Sequence, residues 1–91
     1  MAHIPDTAAK YAESPEFTHE TVPAKLTSVH DTKAGTWGRL VVLEGSLTYV
    51  VPGPPESRTL VETGSTAIIE PTVPHHVEID GEVRFKIEFF K

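Results

Sequence analysis

The chain contains no cysteine. Disulfides and thiolate metal sites are therefore excluded, and the composition suits a reducing cytoplasm. Long apolar runs are missing too. The longest is far too short to span a bilayer, and the N-terminal "MAHIPDTAAKYAESPEF" has no continuous apolar stretch of the signal-peptide kind. Positive charge is scarce: 8 basic residues stand against 13 acidic ones, for a formal net charge of -5. Lys10, Lys25, Lys33, Arg39, Arg58, Arg84, Lys86 and Lys91 form no patch in sequence, which argues against a grip on nucleic acid phosphates. No glycine-rich nucleotide loop follows a strand, and no serine sits in a nucleophile elbow. With 91 residues there is room for one domain with a small core. These absences leave a soluble cytoplasmic protein with neither a membrane nor a nucleic acid as its partner.

What is present is β-structure. Residues 1–23 hold Pro5, Pro15 and Pro23 and show no sustained apolar period, so they read as an extended arm anchored by Ile4, Tyr11 and Phe17. From residue 24 the pattern changes. "LTSVH" is short and β-branched, and "TKAGTWG" is a turn-rich linker. "RLVVLEGSLTYVV" reads as two strands joined at Glu44-Gly45, followed by "PGPPES", a loop no strand continues through. "RTLVETGSTAIIE", "HHVEI" and "EVRFKIEFFK" supply further strands with turns at Thr63-Gly64, "PTVP" and "DG". Several short strands separated by turn signals indicate an all-β sandwich or small barrel over 24–91.

Alternation sorts the two adjacent histidines. Successive strand residues point to opposite faces. His75 shares a face with Val77 and Ile79, while His76 shares the other with Glu78 and Asp80. His75 should therefore point inward and His76 outward. In "VRFKIEFF" the same rule groups Val83, Phe85, Ile87 and Phe89, leaving Arg84, Lys86 and Glu88 opposite. Glu88 then faces solvent unless that strand is covered on both sides. An inward His75 is either a core histidine satisfied by backbone or a ligand in a pocket.

The run "HDTKAGTWGRLVVLEGSLTY", with "GSTAIIEPTVPHHVE" after it, resembles the family of small cupin domains that includes the N-terminal domain of tellurite-resistance TehB and the stress-induced YeaR proteins. The likeness runs from about Phe17 to Phe90 and is most specific around Trp37 and His75. It implies a cupin-like double-stranded β-helix, a jelly-roll barrel, and no agreed reaction. Gly64 and His75 fall on positions of the second cupin motif, with His75 on the metal-binding histidine. The first motif has lost its ligands: its glutamate position is Gly38, and its histidine positions lie near Thr32 and Ala34. Methyltransferase activity does not carry over, because the chain holds no such domain.

His75 and His30 are the candidate metal ligands. With a carboxylate from Glu78 or Glu88 they suit zinc, iron(II) or nickel, although alternation places neither acid on the face of His75. Trp37 and Arg39 are the candidate pocket pair, an aromatic wall and a cation available to an oxyanion. The simpler reading packs Trp37 on the arm and pairs Arg39 with a surface acid. Three functions follow: a non-catalytic stress-response domain binding a metal or small ligand, a metal-dependent enzyme with a degenerate centre, or an interaction module. Open strand edges in so small a barrel point to a homodimer.

Overall fold

The structure, a computed structural model, describes residues 3–91. It is a small cupin-like antiparallel barrel of seven strands with one helical turn. In chain order these are β1 (Lys10–Glu13), β2 (Phe17–Thr18), α1 (Ala24–Thr27), β3 (Trp37–Val51), β4 (Ser57–Glu62), β5 (Thr66–Ile69), β6 (His76–Glu78) and β7 (Val83–Phe90).

Strand β3 organises the molecule. Its first half pairs with β5 and β7, and its second half with β4 and β6. The expected turn at Glu44-Gly45 is not a turn, because β3 runs unbroken for 15 residues. Between the pairs Val42↔Phe85 and Glu44↔Arg84 the strand carries one extra residue, Leu43. Such a bulge bends a strand and raises its twist, and Gly45 completes the bend at φ +80°. The extra residue also changes which positions face inward. Gly38, Leu40 and Val42 are buried before it, Leu47 and Tyr49 after it. A strict period of two would have sent Leu47 outward.

The core gathers Leu40, Val42, Leu47, Tyr49, Val61, Ala67, Ile69, Val77, Val83, Phe85 and Ile87. Burying each large side chain is worth about 1.5–3 kcal/mol, and Phe85, with no exposed surface, sits at its centre.

The N-terminal arm is part of the sheet. β1 and β2 pair antiparallel with β7, and Lys91 exchanges both backbone hydrogen bonds with Ala9. Residues 1 and 2 of the expected arm lie outside the described residues. Of the three expected anchors, Phe17 is the one seated on the core, its ring 5.7 Å from that of Phe85. Ile4 is half-buried, and Tyr11 is exposed beneath the Lys91 ammonium.

"LTSVH" is not the expected strand. Pro23 enters at φ -64° and one helical turn follows. The hydroxyls of Thr27 and Ser28 donate to the Ala24 carbonyl, so local side-chain bonds close the turn and override β-propensity. The chain extends again at His30, which forms an isolated antiparallel bridge with His75.

Candidate functional site

The bridge builds the site. His30 N donates to His75 O at 3.0 Å, and His75 N donates to His30 O at 2.8 Å. Residues paired in this way project side chains to the same side. The two imidazoles meet there, with ring centroids 4.4 Å apart and planes at 61°. His75 points inward as alternation requires and is only 2% exposed. His76 lies on the outer face, where its Nε2 meets the Glu78 carboxylate at 3.2 Å.

Both inner imidazoles have their tautomer set by backbone. His75 Nδ1 lies 2.8 Å from the Val73 carbonyl oxygen, and His30 Nδ1 lies 3.0 Å from that of Ser28. A carbonyl only accepts, so each Nδ1 carries the proton. In the neutral ring, Nε2 is then a bare lone pair. Burial pushes the His75 pKa down, against the opposing pull of the Val73 carbonyl, which keeps the ring neutral at pH 7. Behind it, the Tyr49 ring lies 5.5 Å away. Burial, helped by the Glu70 charge, raises the Tyr49 phenol well above its ordinary value, so it remains protonated.

The two histidines line a cavity of about 260 Å³. Phe17, Pro23 and Leu26 form its wall on the N-terminal side, and Ile69, Ile87 and Phe89 form the barrel side, with Ser14, Lys25, Asp31 and Thr32 between them. The arm and α1 thus complete a chamber that the barrel alone would leave open. A broader and more open groove runs over His19, Val22, Thr27 and Val77 to Glu82.

A metal held by protein donors alone would need a third beside His30 and His75. The inward position where the resemblance places a glutamate is Gly38, and a Cβ there would meet Ile69 Cβ and Cδ1 at 3.1 Å. The cavity wall is therefore closed at that point by an apolar side chain. Among the described residues no group of three His, Cys, Asp or Glu side chains can hold an ion. Glu78 is engaged by Arg58 on the outer surface. Glu88 is neither solvent-facing nor in the cavity. It is 13% exposed, held by Arg39, Lys10 and Lys86, because β1 and β3 flank β7 and their side chains reach across it.

Trp37 and Arg39 do not reach the cavity. Alternation from Gly38 and Leu40 turns both to the outer face. Trp37 is half-buried opposite Phe90. Arg39 Nε donates to Glu88 at 2.8 Å, and its guanidinium lies 4.9 Å over the Phe90 ring. Sequence reasoning named the two histidines that the structure brings together and missed Phe17, Leu26 and Phe89 as cavity wall. The aromatic anchor in the arm was the available signal for the first of these.

Comparison with known proteins agrees with this architecture. The profile of the TehB-like domain matches residues 12–87. A curated relative, the probable S-adenosyl-L-methionine-dependent methyltransferase TehB of Haemophilus influenzae strain Rd, is 41% identical over 39 residues, covering 43% of this chain and 14% of that protein. Its counterpart in strain 10810 is 38% identical over 39 residues. This chain thus spans 14% of the length of the curated relatives it matches. Among solved structures, an Escherichia coli K12 protein superposes with TM-score 0.88 at 27% identity, covering 100% of this chain and 97% of that one. H. influenzae TehB superposes with TM-score 0.83 at 26% identity over 93% of this chain and 32% of its own. A cupin-2 domain protein of Shewanella frigidimarina, at TM-score 0.58 and 17% identity over 89% of this chain and 64% of its own, shares the fold. With the family profile spanning most of its length, the chain belongs to the TehB-like domain family.

Proposed function

We propose that this TehB-like domain is a non-catalytic small-ligand-binding module of a cytoplasmic, tellurite-resistance-like stress response. Its site is the chamber closed by His30 and His75. The observation that carries the reading is the pair of tautomer-fixed imidazoles at an apolar cavity that the arm and α1 complete. Ser14 and Thr32, the hydroxyls of the lining, are engaged by backbone carbonyls, and the methyltransferase named for the full-length relatives is not assigned to this domain. Leu26→Trp, which fills the chamber from its wall, tests the reading. Ligand-induced shifts at the His75 and His30 resonances should be abolished, and persistence of those shifts would place binding elsewhere.

A metal ion is the second reading. It rests on the anchoring of each Nδ1–H by a carbonyl, the arrangement that orients imidazole ligands. Zinc, iron(II) or nickel would take the two Nε2 atoms and complete its shell with exogenous donors. Metal analysis of untagged protein tests this. His75→Ala should remove the metal and His76→Ala should leave it, whereas metal-free wild type defeats the reading. Self-association is a further proposal. β4 ends the strand order and carries Leu60, which is 61% exposed, so its open edge suits a second copy. Sedimentation showing only monomer at tens of micromolar, a common in-vitro range, would oppose it.

A further inference from the structure

We infer that the ligand of the His30–His75 chamber is an uncharged, largely apolar small molecule carrying a hydroxyl or N–H donor, and not an oxyanion. This deepens the site reading above and rests on it.

Each side-chain donor in the lining is already committed, apart from the Lys25 ammonium. Ser14 Oγ donates to the Pro15 carbonyl and accepts from Ile87 N. Thr32 Oγ1 donates to the Thr36 carbonyl. Both imidazole Nδ1–H groups donate to backbone. Lys25 is exposed at the rim, with the exposed Asp31 carboxylate also in the lining. What remains inside are the two Nε2 lone pairs, which accept. An oxyanion, even one that keeps a hydroxyl, carries its charge on oxygens that only accept; it would bring that charge into an apolar chamber without an interior side-chain donor, and burying an unpaired charge is expensive. A hydroxyl or N–H reaching Nε2 satisfies both sides, while the wall of Phe17, Leu26 and Phe89 covers an apolar body.

Matched probes test this on the full chain. The probes are 2-naphthol (a donor), its methyl ether 2-methoxynaphthalene (no donor), 2-naphthoate and tellurite. Titrations follow the His30 and His75 imidazole nitrogens by NMR. The expected result is binding of 2-naphthol with Nε2 shifts, about tenfold tighter than the ether, the ratio one hydrogen bond gives. Neither anion should displace it. His30→Phe or His75→Phe should shrink the preference while both neutral probes still bind. If the His75 variant does not fold, the half-buried His30 position reads the same ratio. Equal binding of naphthol and ether, with cavity signals moving, would overturn the donor inference and leave the chamber as an apolar site. Displacement by tellurite or naphthoate would also overturn it. If no probe moves the cavity signals, the site reading falls and takes this inference with it.

Discussion

The inner and outer surfaces of the barrel solve opposite problems, each with a covered titratable side chain. On the inner face, His75 is buried beside apolar side chains and stays neutral. On the outer face, Glu88 is mostly covered yet stays charged. Burial pushes the Glu88 carboxyl upward, but hydrogen bonds from Arg39 and Lys10 outweigh this and hold it below the usual carboxylate range. The difference is the partner supply. Backbone carbonyls serve the inner imidazoles, and three cations serve the outer acid. A buried titratable group therefore marks a binding site only when some of its capacity is left over. His75 keeps a free Nε2, whereas Glu88 is saturated and ties the arm to the barrel.

Gly45 decides which residue reaches which face, so its replacement should have the largest effect. An added Cβ would lie 2.1 Å from the Glu82 carbonyl oxygen, at φ +80°. That contact is with backbone and has no cheap relief. Gly45→Ala should cost about 3 kcal/mol or more, seen as a lowered urea midpoint. A cost below about 1 kcal/mol, the ordinary glycine-to-alanine scale, would mean that β3 can reach both faces without this bend.

Removing the inner group comes next. His75→Ala opens a cavity and strands the Val73 carbonyl, for about 2–3 kcal/mol. The same residue gives the wild type a recognisable acid response. Its folded pKa lies below its ordinary value near 6.5, so the unfolded chain binds the proton more readily. Its contribution is fully present above that ordinary value and is lost as pH falls through the folded pKa. Chemical denaturation from pH 7 downward should show this loss beginning near the histidine range. A wild-type profile that stays flat until the carboxylates titrate would show that His75 accepts a proton without penalty.

Glu88→Gln probes the other face. It removes a largely buried charge from among three cations and should cost about 1–2 kcal/mol. The depressed Glu88 pKa gives a contribution present above the unfolded carboxylate value of 4.5 and lost as pH falls through the folded one. The variant should therefore lose part of the acid limb below that range and keep the histidine limb. Loss of both limbs would mean that the two faces are not electrostatically independent.

Much of this was legible in the sequence, for reasons that differ by position. Alternation put His75 inside and His76 outside because "HHVEI" has one apolar and one polar face. The resemblance supplied the barrel, and His30 followed as the nearest histidine. Period-two reasoning could not reveal that Glu44-Gly45 continues one strand past a bulge at Leu43, since a turn and a bulge both favour glycine at positive φ. Helix propensity gave no warning of α1, whose single turn depends on Pro23 and two hydroxyls. The fate of Glu88 depended on the strands that flank β7, long-range pairings that no local pattern encodes. The cavity wall was hidden for the same reason, as Phe17 joins Phe89 in the lining only after the arm has paired.

The smallest effect should come from Arg39, and it tests the division between the faces most directly. If Arg39 belonged to the ligand site, its removal would abolish binding of an anion or reshape the chamber. Here its guanidinium pairs with Glu88 and lies over Phe90 on the outer face. Its side chain is 40% exposed, so solvent screens the pair and the loss in Arg39→Ala should be at most about 1 kcal/mol. Lys10 and Lys86 remain to hold Glu88. That loss should shrink further in high salt, because a part-exposed ion pair is screened. Affinity of the chamber for 2-naphthol should stay within about twofold of wild type, since no Arg39 atom lines it. A larger change in affinity at unchanged stability would show that the outer lattice reaches through β3 to the cavity, and the separation of the two faces would have to be given up.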